Sequence, residues 1–248
     1  MTAASLHTER IPAARENPTL VFLHHGLGSI AQWRDFPAQL CAATSLPAFL
    51  YDRCGHGRSP ACGQPRTPAY MHREAETLHR LLTHHNIGDC ILIGHSDGAS
   101  IALLYAALPN VPAPRLIVSE SAHVFVEPIT RHGIRLTIDA YLAGMREKLR
   151  KYHGANTEAL FWDWAGTWLA PSFDSWNLCR TIGNVSCPVA AIQGAEDEYG
   201  TESQLDAILR SVPCAAGRFL IPQAAHEPHH QSRPQTLDTM ARLIARYV

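Results

Sequence analysis

The sequence lacks the features that mark membrane-spanning, nucleic-acid-binding and disulfide-stabilised proteins. No apolar run reaches the roughly 20 residues that cross a bilayer, and residues 1–17 are mixed and polar, so we expect neither a membrane span nor a signal peptide. A formal net charge of −1 gives no electrostatic reason to expect nucleic acid or an anionic membrane as a partner. The seven cysteines form no C-x-x-C pair, so we predict reduced thiols and a cytoplasmic location.

What the sequence does contain is a series of short apolar runs that alternate with helical patterns. Its 248 residues and hydrophobic content of 46% are enough for one large core. The predicted strands cover residues 19–24, 48–52, 90–93, 115–119, 188–194 and 217–222, and the predicted helices cover 70–85, 99–108, 201–212 and 234–248. This alternation predicts a protein of the α/β class.

One segment, residues 90–109, carries the strongest functional signal. A predicted buried strand leads into Gly94-His-Ser96-Asp-Gly98, and a helical pattern follows as far as Pro109. The pentapeptide G-x-S-x-G is common by chance, but a position between a strand and a helix is typical of a sharp turn that exposes a nucleophilic serine. Glycines two residues before and after the serine avoid side-chain clashes in such a turn. Ser96 is therefore the candidate nucleophile, and a solvated glycine-serine loop is the plainer alternative.

Four further motifs occur in a fixed order along the chain. They are His25-Gly26 after the first predicted strand, Asp52-x-x-Gly-x-Gly-x-Ser59, Gly194-x-x-Asp197, and His226 in the loop after the last predicted strand. Together with G-x-S-x-G, these motifs resemble those of the α/β-hydrolase family, and the order of nucleophile, acid and base is that of the family. The resemblance implies a mostly parallel central sheet flanked by helices, with a helical cap inserted after the sixth strand.

The resemblance also implies a catalytic triad of Ser96, Asp197 and His226. In a triad the carboxylate accepts the Nδ1–H of the histidine and fixes its tautomer, while the histidine takes the proton of the serine. An ordinary histidine pKa near 6.5 suits this exchange. The sequence leaves rivals open for both the acid and the base. Some family members place the acid after the strand at 115–119. These rivals are Glu120, His229 and His230.

In the family, two backbone N–H groups stabilise the oxyanion that forms during the reaction. Carried over to this chain, the two donors are the amides of Leu27 and Asp97. The Asp97 carboxylate must then point away from the oxyanion, since it would otherwise oppose catalysis. His24 and His25 are interpreted as residues that order the loop, because a catalytic zinc needs three ligands in a defined geometry. We expect no metal and no cofactor.

Residues 125–184 differ in character from the rest of the chain. They have helical patterns and many aromatic residues, and the resemblance identifies them as the cap, with residues 1–124 and 185–248 as the core. The candidate lining of an apolar substrate pocket is Trp33, Trp162, Trp164 and Trp168. The first part of the cap is locally basic, which is typical of a solvated helix face. Alternatively it is a docking face for an anionic acyl carrier protein, since the chain is similar in size and layout to pimeloyl-carrier methyl esterases.

The sequence thus predicts a serine esterase that cleaves a small to medium carboxylic ester, with a small molecule as its partner and no nucleic acid or membrane. Two alternatives use the same triad: a C–C bond hydrolase of ring-cleavage diketones, and a methyl esterase acting on an acyl ester bound to a carrier protein. A cofactor-free peroxidase activity is a third. Haloalkane dehalogenation is disfavoured because its nucleophile is a carboxylate, whereas position 96 is a serine. A non-catalytic binding protein is the alternative from a different class.

Overall fold

A seven-stranded sheet forms the centre of the part of the protein that the structure describes. The computed structural model describes residues 5–61, 63 and 66–248. Within them the strands are β1 (Thr8–Ile11), β2 (Thr19–Leu23), β3 (Ala48–Tyr51), β4 (Cys90–His95), β5 (Leu116–Glu120), β6 (Val189–Gly194) and β7 (Ala215–Ile221). Their order across the sheet is β1-β3-β2-β4-β5-β6-β7. β1 is antiparallel to β3 and every other neighbouring pair is parallel, so the predicted mostly parallel sheet is confirmed.

Helices cover both faces of the sheet. They are α1 (Phe36–Thr44), α2 (Tyr70–His84), α3 (Asp97–Ala106), α4 (Pro128–Ala140), α5 (Arg146–His153), α6 (Thr157–Leu169), α7 (Cys179–Ile182), α8 (Ser203–Ser211), α9 (Pro228–Gln231) and α10 (Arg233–Ile244). Alternate strand residues point to opposite faces, so Leu20 and Phe22 pack with α1 and α10, while Val21 and Leu23 pack with α2 and α3. Because both faces are covered, β2 to β6 are buried along their whole length.

Between β5 and β6 the chain forms α4 to α7, and we call residues 125–184 of this segment the insertion. It follows the fifth strand of the described residues, whereas the resemblance implied the sixth. α4 begins with a capping box in which Glu127 and Thr130 each bond to the other's backbone N–H. Thr201 and Gln204 of the core donate to the Glu127 carboxylate at 2.6 and 2.7 Å, which anchors the start of the insertion.

A π-helical turn, Tyr141–Met145, separates α4 from α5. Gly144 within it has a φ of 125°, a conformation that residues with a Cβ rarely adopt. The turn changes the direction of the chain so that α5 runs over the core, and the Leu149 side chain of α5 is buried. No helix in the part of the chain that the structure describes is both long and apolar enough to cross a membrane.

Several sequence predictions differ from the structure in detail. β1 was not predicted, because its four residues are polar or half-exposed and carry no apolar run. α3 begins at Asp97, two residues earlier than predicted, since it starts directly after Ser96. Cys54 is disulfide-bonded, so the prediction of reduced thiols is wrong at that position. The free cysteines among the described residues are Cys41, Cys90, Cys179, Cys187 and Cys214. Residues 1–4 of the predicted core and Cys62 lie outside the described residues.

Candidate active site

Ser96 lies in the sharp turn between β4 and α3. Its φ of 55° and ψ of −120° fall in a region that residues with a side chain rarely occupy. The turn brings α3 against the sheet, so an added Cβ at Gly98 would lie 2.1 Å from Leu23 O, and one at Gly94 would lie 2.5 Å from Gly98 O. Both glycines of the motif are therefore required by close backbone contacts, as expected for a turn that presents a nucleophile.

The carboxyl ends of β4, β6 and β7 bring Ser96, Asp197 and His226 together. The His226 Nδ1 lies 2.9 and 3.0 Å from the two Asp197 carboxylate oxygens. The His226 Nε2 lies 2.9 Å from Ser96 Oγ. A carboxylate can only accept, so Nδ1 carries the proton and Nε2 is the nitrogen that can take a proton from the serine.

The electrostatic environment of His226 favours its charged form. Burial lowers the pKa of His226, but the Asp197 carboxylate, its hydrogen bond and the nearby glutamates raise it by more, so the pKa lies above the ordinary value of 6.5. Burial raises the pKa of Asp197, but the charge and hydrogen bond of His226 lower it by more, so this carboxyl is ionised at neutral pH. A protonated His226 is thereby stabilised by the Asp197 carboxylate.

The rivals that the sequence left open form a separate buried pair. Glu120 Oε1 accepts the His229 N–H at 2.9 Å, and Glu120 Oε2 lies 2.9 Å from His229 Nδ1. The His230 Nε2 bonds to a backbone carbonyl. None of the three is within hydrogen-bond distance of Ser96 Oγ, whose histidine partner is His226. No group of three or more histidine, cysteine or acidic side chains in the described ranges is arranged to hold a metal ion.

The candidate oxyanion donor Leu27 lies in the loop after β2, whose carbonyls are bonded to side chains, and the other candidate, Asp97, is the first residue of α3. Arg53 Nη2 donates to His25 O at 2.7 Å, and His153 Nε2 lies 2.9 Å from Leu27 O. The Leu27 N–H has only a long contact of 3.4 Å to the His25 ring. The Asp97 N–H, at the N-terminus of α3, has no hydrogen-bond partner within the described part of the chain. Both N–H groups are therefore available to a developing negative charge.

A cavity of about 350 Å³ lies above Ser96, and two of the four predicted tryptophans line it. Trp164 and Trp168 line it because residues four apart share one face of α6. Trp162 points the opposite way, is 41% exposed and donates to the Glu158 carboxylate, so its prediction as a pocket residue is wrong. Trp33 is wrong as well, since it packs in the core against Phe22 and His229 rather than in the cavity.

Sequence reasoning missed several residues that the structure brings to the site. Arg53 lies inside the motif that ends at Ser59, but nothing in the motif indicated that its side chain would reach the oxyanion loop. Tyr70 and His153 carry no motif at all. Tyr199 also lines the cavity, and its only sequence signal was its position two residues after Asp197.

The fold and the site define a hydrolase of the α/β class. The chain matches the model of the alpha/beta hydrolase family over residues 20–238, and it belongs to that family.

Individual known proteins are similar to this chain at low sequence identity. The sn-1-specific diacylglycerol lipase ABHD11 of Danio rerio is 29% identical over 134 residues, which are 53% of this chain and only 38% of that relative. A carboxylesterase structure from Nitrososphaera gargenis has a TM-score of 0.76 at 21% identity, with 98% of this chain and 94% of that chain covered. The enol-lactonase of Burkholderia xenovorans LB400 has a TM-score of 0.76 at 17% identity, with 97% and 96% covered. Identities this low to the solved structures show a shared fold and leave the substrate open.

Proposed function

We propose that the protein is a serine hydrolase that cleaves a small to medium carboxylic ester through an acyl-enzyme on Ser96. The observation that carries the proposal is the distance of 2.9 Å between Ser96 Oγ and His226 Nε2, with Asp197 on the other ring nitrogen. This is the arrangement in which a neutral hydroxyl becomes a nucleophile without a cofactor.

The reaction begins as Ser96 Oγ attacks the ester carbonyl carbon while His226 Nε2 takes the serine proton. The carbonyl oxygen becomes an oxyanion that accepts hydrogen bonds from the Leu27 and Asp97 N–H groups. When the tetrahedral intermediate collapses, His226 gives its proton to the departing alcohol. A water molecule then attacks the acyl-enzyme with His226 as base, which releases the carboxylic acid and restores Ser96.

The cavity supports a substrate of modest size. At about 350 Å³ it is at the lower end of the range of small-molecule pockets, and Ile134, Leu149, Trp164 and Trp168 give it apolar walls. All four belong to the insertion, so we propose that residues 125–184 act as a cap that selects the acyl or alcohol part. Hydrolysis of C–C bonds in ring-cleavage diketones uses the same groups and stays the alternative.

A small-molecule ester is the proposed partner, with neither nucleic acid nor membrane involved. An ester carried on an acyl carrier protein is the alternative. Two basic residues in the first part of the insertion are already paired, Arg131 with Asp174 and Arg146 with Glu158. Fewer free cations are left for an anionic carrier, which favours the free ester.

Hydrolysis of p-nitrophenyl esters from acetate to long acyl chains tests the proposal, with Ser96→Ala as the control. We expect a peak at one chain length and a loss of kcat of several orders of magnitude in Ser96→Ala, as removal of a triad nucleophile produces elsewhere. Near-normal turnover by Ser96→Ala contradicts the proposal. A peak at long chains would indicate a bulkier ester, of the bond type that the lipase relative cleaves. No ester turnover together with fluorophosphonate labelling of Ser96 would direct attention to diketones and carrier-bound esters.

We also propose a cytoplasmic location, on the grounds that five of the described cysteines are free thiols. The disulfide bond of Cys54 is the observation against it. Thiol alkylation of the native protein in cell extract, followed by mass spectrometry of the Cys54 peptide, shows whether Cys54 is reduced or oxidised. A reduced Cys54 supports the cytoplasm and an oxidised one argues for an oxidising compartment.

A further inference from the structure

The last residue of α5, His153, reaches from the insertion into the core beside the first oxyanion donor. Its Nδ1 accepts the Gly57 N–H at 2.9 Å, so the ring proton is on Nε2, which donates to Leu27 O at 2.9 Å. Burial lowers the pKa of His153, which favours this neutral tautomer. Both ring nitrogens are used, and the carbonyl of Leu27 is held by a side chain that comes from the insertion.

A second path from the insertion reaches the other oxyanion donor. Trp168 of α6 donates its indole N–H to the Tyr70 hydroxyl at 3.1 Å. The Tyr70 hydroxyl in turn donates to Asp97 Oδ2 at 2.7 Å. Burial, with the Asp97 charge, raises the pKa of Tyr70 well above its ordinary value. The hydroxyl therefore keeps its proton, accepts from Trp168 and donates to Asp97.

The position of the Asp97 carboxylate matters because the same residue supplies an oxyanion donor. A negative charge free to turn toward the oxyanion would destabilise the transition state. The buried Arg53 places its Nη1 3.7 Å from Asp97 Oδ2, and together with Tyr70 it holds and balances this charge. The carboxylate is therefore held on the protein side of the turn, as an oxyanion site with an acidic residue at this position needs.

We propose that two contacts from the insertion position the oxyanion donors: His153 holds Leu27, and Trp168 acts through Tyr70 of α2 to hold Asp97. The inference rests on the proposed function, since it assigns a role to residues around the proposed oxyanion site. It means that an insertion displaced from the core leaves both donors poorly placed, so the full hydrogen-bonding site exists only when α5 and α6 are seated.

The first arm of the test compares His153→Leu with His153→Gln, which keeps an N–H donor near the position of Nε2. For p-nitrophenyl ester hydrolysis we expect kcat to fall about 10- to 100-fold in His153→Leu at nearly constant KM, because a displaced oxyanion donor costs less than a deleted one. We expect His153→Gln to recover most of the loss. His132→Leu is the matched control, since His132 is an exposed histidine of the same insertion, and its kcat should not change.

The second arm is a double-mutant cycle between Tyr70→Phe and Asp97→Asn. If Tyr70 acts by holding the Asp97 charge, Tyr70→Phe should lower kcat by about tenfold or more in the wild-type background and by less than about threefold once the charge is gone. Equal effects in both backgrounds would mean that Tyr70 is merely structural. Trp168→Phe should resemble a weaker Tyr70→Phe, with Trp162→Phe on the same helix as its control because Trp162 is outside the cavity.

A transition-state analogue and backbone NMR separate this inference from the proposed function. Benzeneboronic acid should bind each positioning variant more weakly by the same factor as its kcat falls, while KM stays level. The amide signals of Leu27 and Asp97 should shift in His153→Leu and Tyr70→Phe, respectively, and not in the controls, whatever the wild-type activity. If the wild type neither cleaves esters nor binds the boronic acid while the amide signals shift, the proposed function fails and the positioning stands. Unshifted amide signals, or equal losses in His153→Leu and His153→Gln, overturn the inference.

Discussion

Two carboxylates of the site each hold a buried histidine, but only one of these histidines reaches Ser96. Asp197 bonds to His226, whose other nitrogen is 2.9 Å from the serine, whereas Glu120 bonds to His229. We therefore expect Asp197→Asn to lower kcat about 10⁴-fold, because an amide in this position favours the wrong imidazole tautomer. Steady-state kinetics on the best p-nitrophenyl ester measures the effect, and circular dichroism checks that the variant is folded.

Glu120→Gln is the matched change at the rival carboxylate. Its two oxygens accept from the backbone N–H and ring of His229, so we expect a loss of about 1–3 kcal/mol in the free energy of unfolding, as for a buried partner left unsatisfied. The kcat of the folded variant should remain within a few-fold of the wild type. A mild effect of Asp197→Asn combined with a large kinetic effect of Glu120→Gln would move the acid to Glu120.

The proposed base, His226, must be neutral to take a proton, and this predicts the pH dependence of activity. Its pKa is raised above 6.5 by Asp197 and the nearby glutamates, against the opposing effect of burial. Protonation removes the base, so kcat/KM should fall as pH decreases through this pKa, with a midpoint above 6.5. A profile of kcat/KM from pH 5 to 9 measures the midpoint. A rate that is flat from pH 5 to 8 would argue against a histidine base.

At the scale of elements, the contact between α3 and β2 sets the position of Ser96. A Cβ at Gly98 would lie 2.1 Å from Leu23 O, whereas one at Gly166 in α6 would meet nothing within 4 Å. We expect Gly98→Ala to destabilise the protein by about 3 kcal/mol or more, because the helix must move off the sheet. Gly166→Ala should stabilise it by about 0.5–1 kcal/mol. Urea unfolding of both variants measures the difference, and similar stabilities would contradict the close contact.

Elements that are buried on both faces were predictable from the sequence, and the sheet edge was not. Strands β2 to β6 each contain a short apolar run because helices cover them on either side, so their signal does not depend on knowing a partner. β1 lies at the edge of the sheet and its residues are half-exposed. Pairing with β3 stabilises it as a strand, and its own sequence does not indicate that pairing. The faces of α6 were also hidden, since a cluster of tryptophans does not say which of them points inward.

At the scale of the whole molecule, local motifs could be read from the sequence and long-range contacts could not. The sharp turn at Ser96 was predictable because five neighbouring residues specify it. The bond from His153 to Leu27 joins residues 126 positions apart, and that from Trp168 to Tyr70 joins residues 98 apart. Neither contact leaves a pattern in a single sequence, because only the seating of the insertion on the core brings the partners together.

The same seating encloses the cavity, so its size should set the preferred substrate length. Leu149 of α5 is buried and lines the cavity opposite the core. We expect Leu149→Trp to shorten the acyl chain at which p-nitrophenyl ester hydrolysis peaks, and to lower kcat/KM for the longest esters about tenfold or more, since each excluded methylene costs 10-fold or more in a hydrophobic pocket. Trp162→Ala is the control, because its exposed ring lies outside the cavity and the profile should not move. An unchanged profile in Leu149→Trp would show that the acyl chain binds elsewhere. The insertion would then act through its hydrogen bonds to the reacting centre and would not determine the preferred chain length.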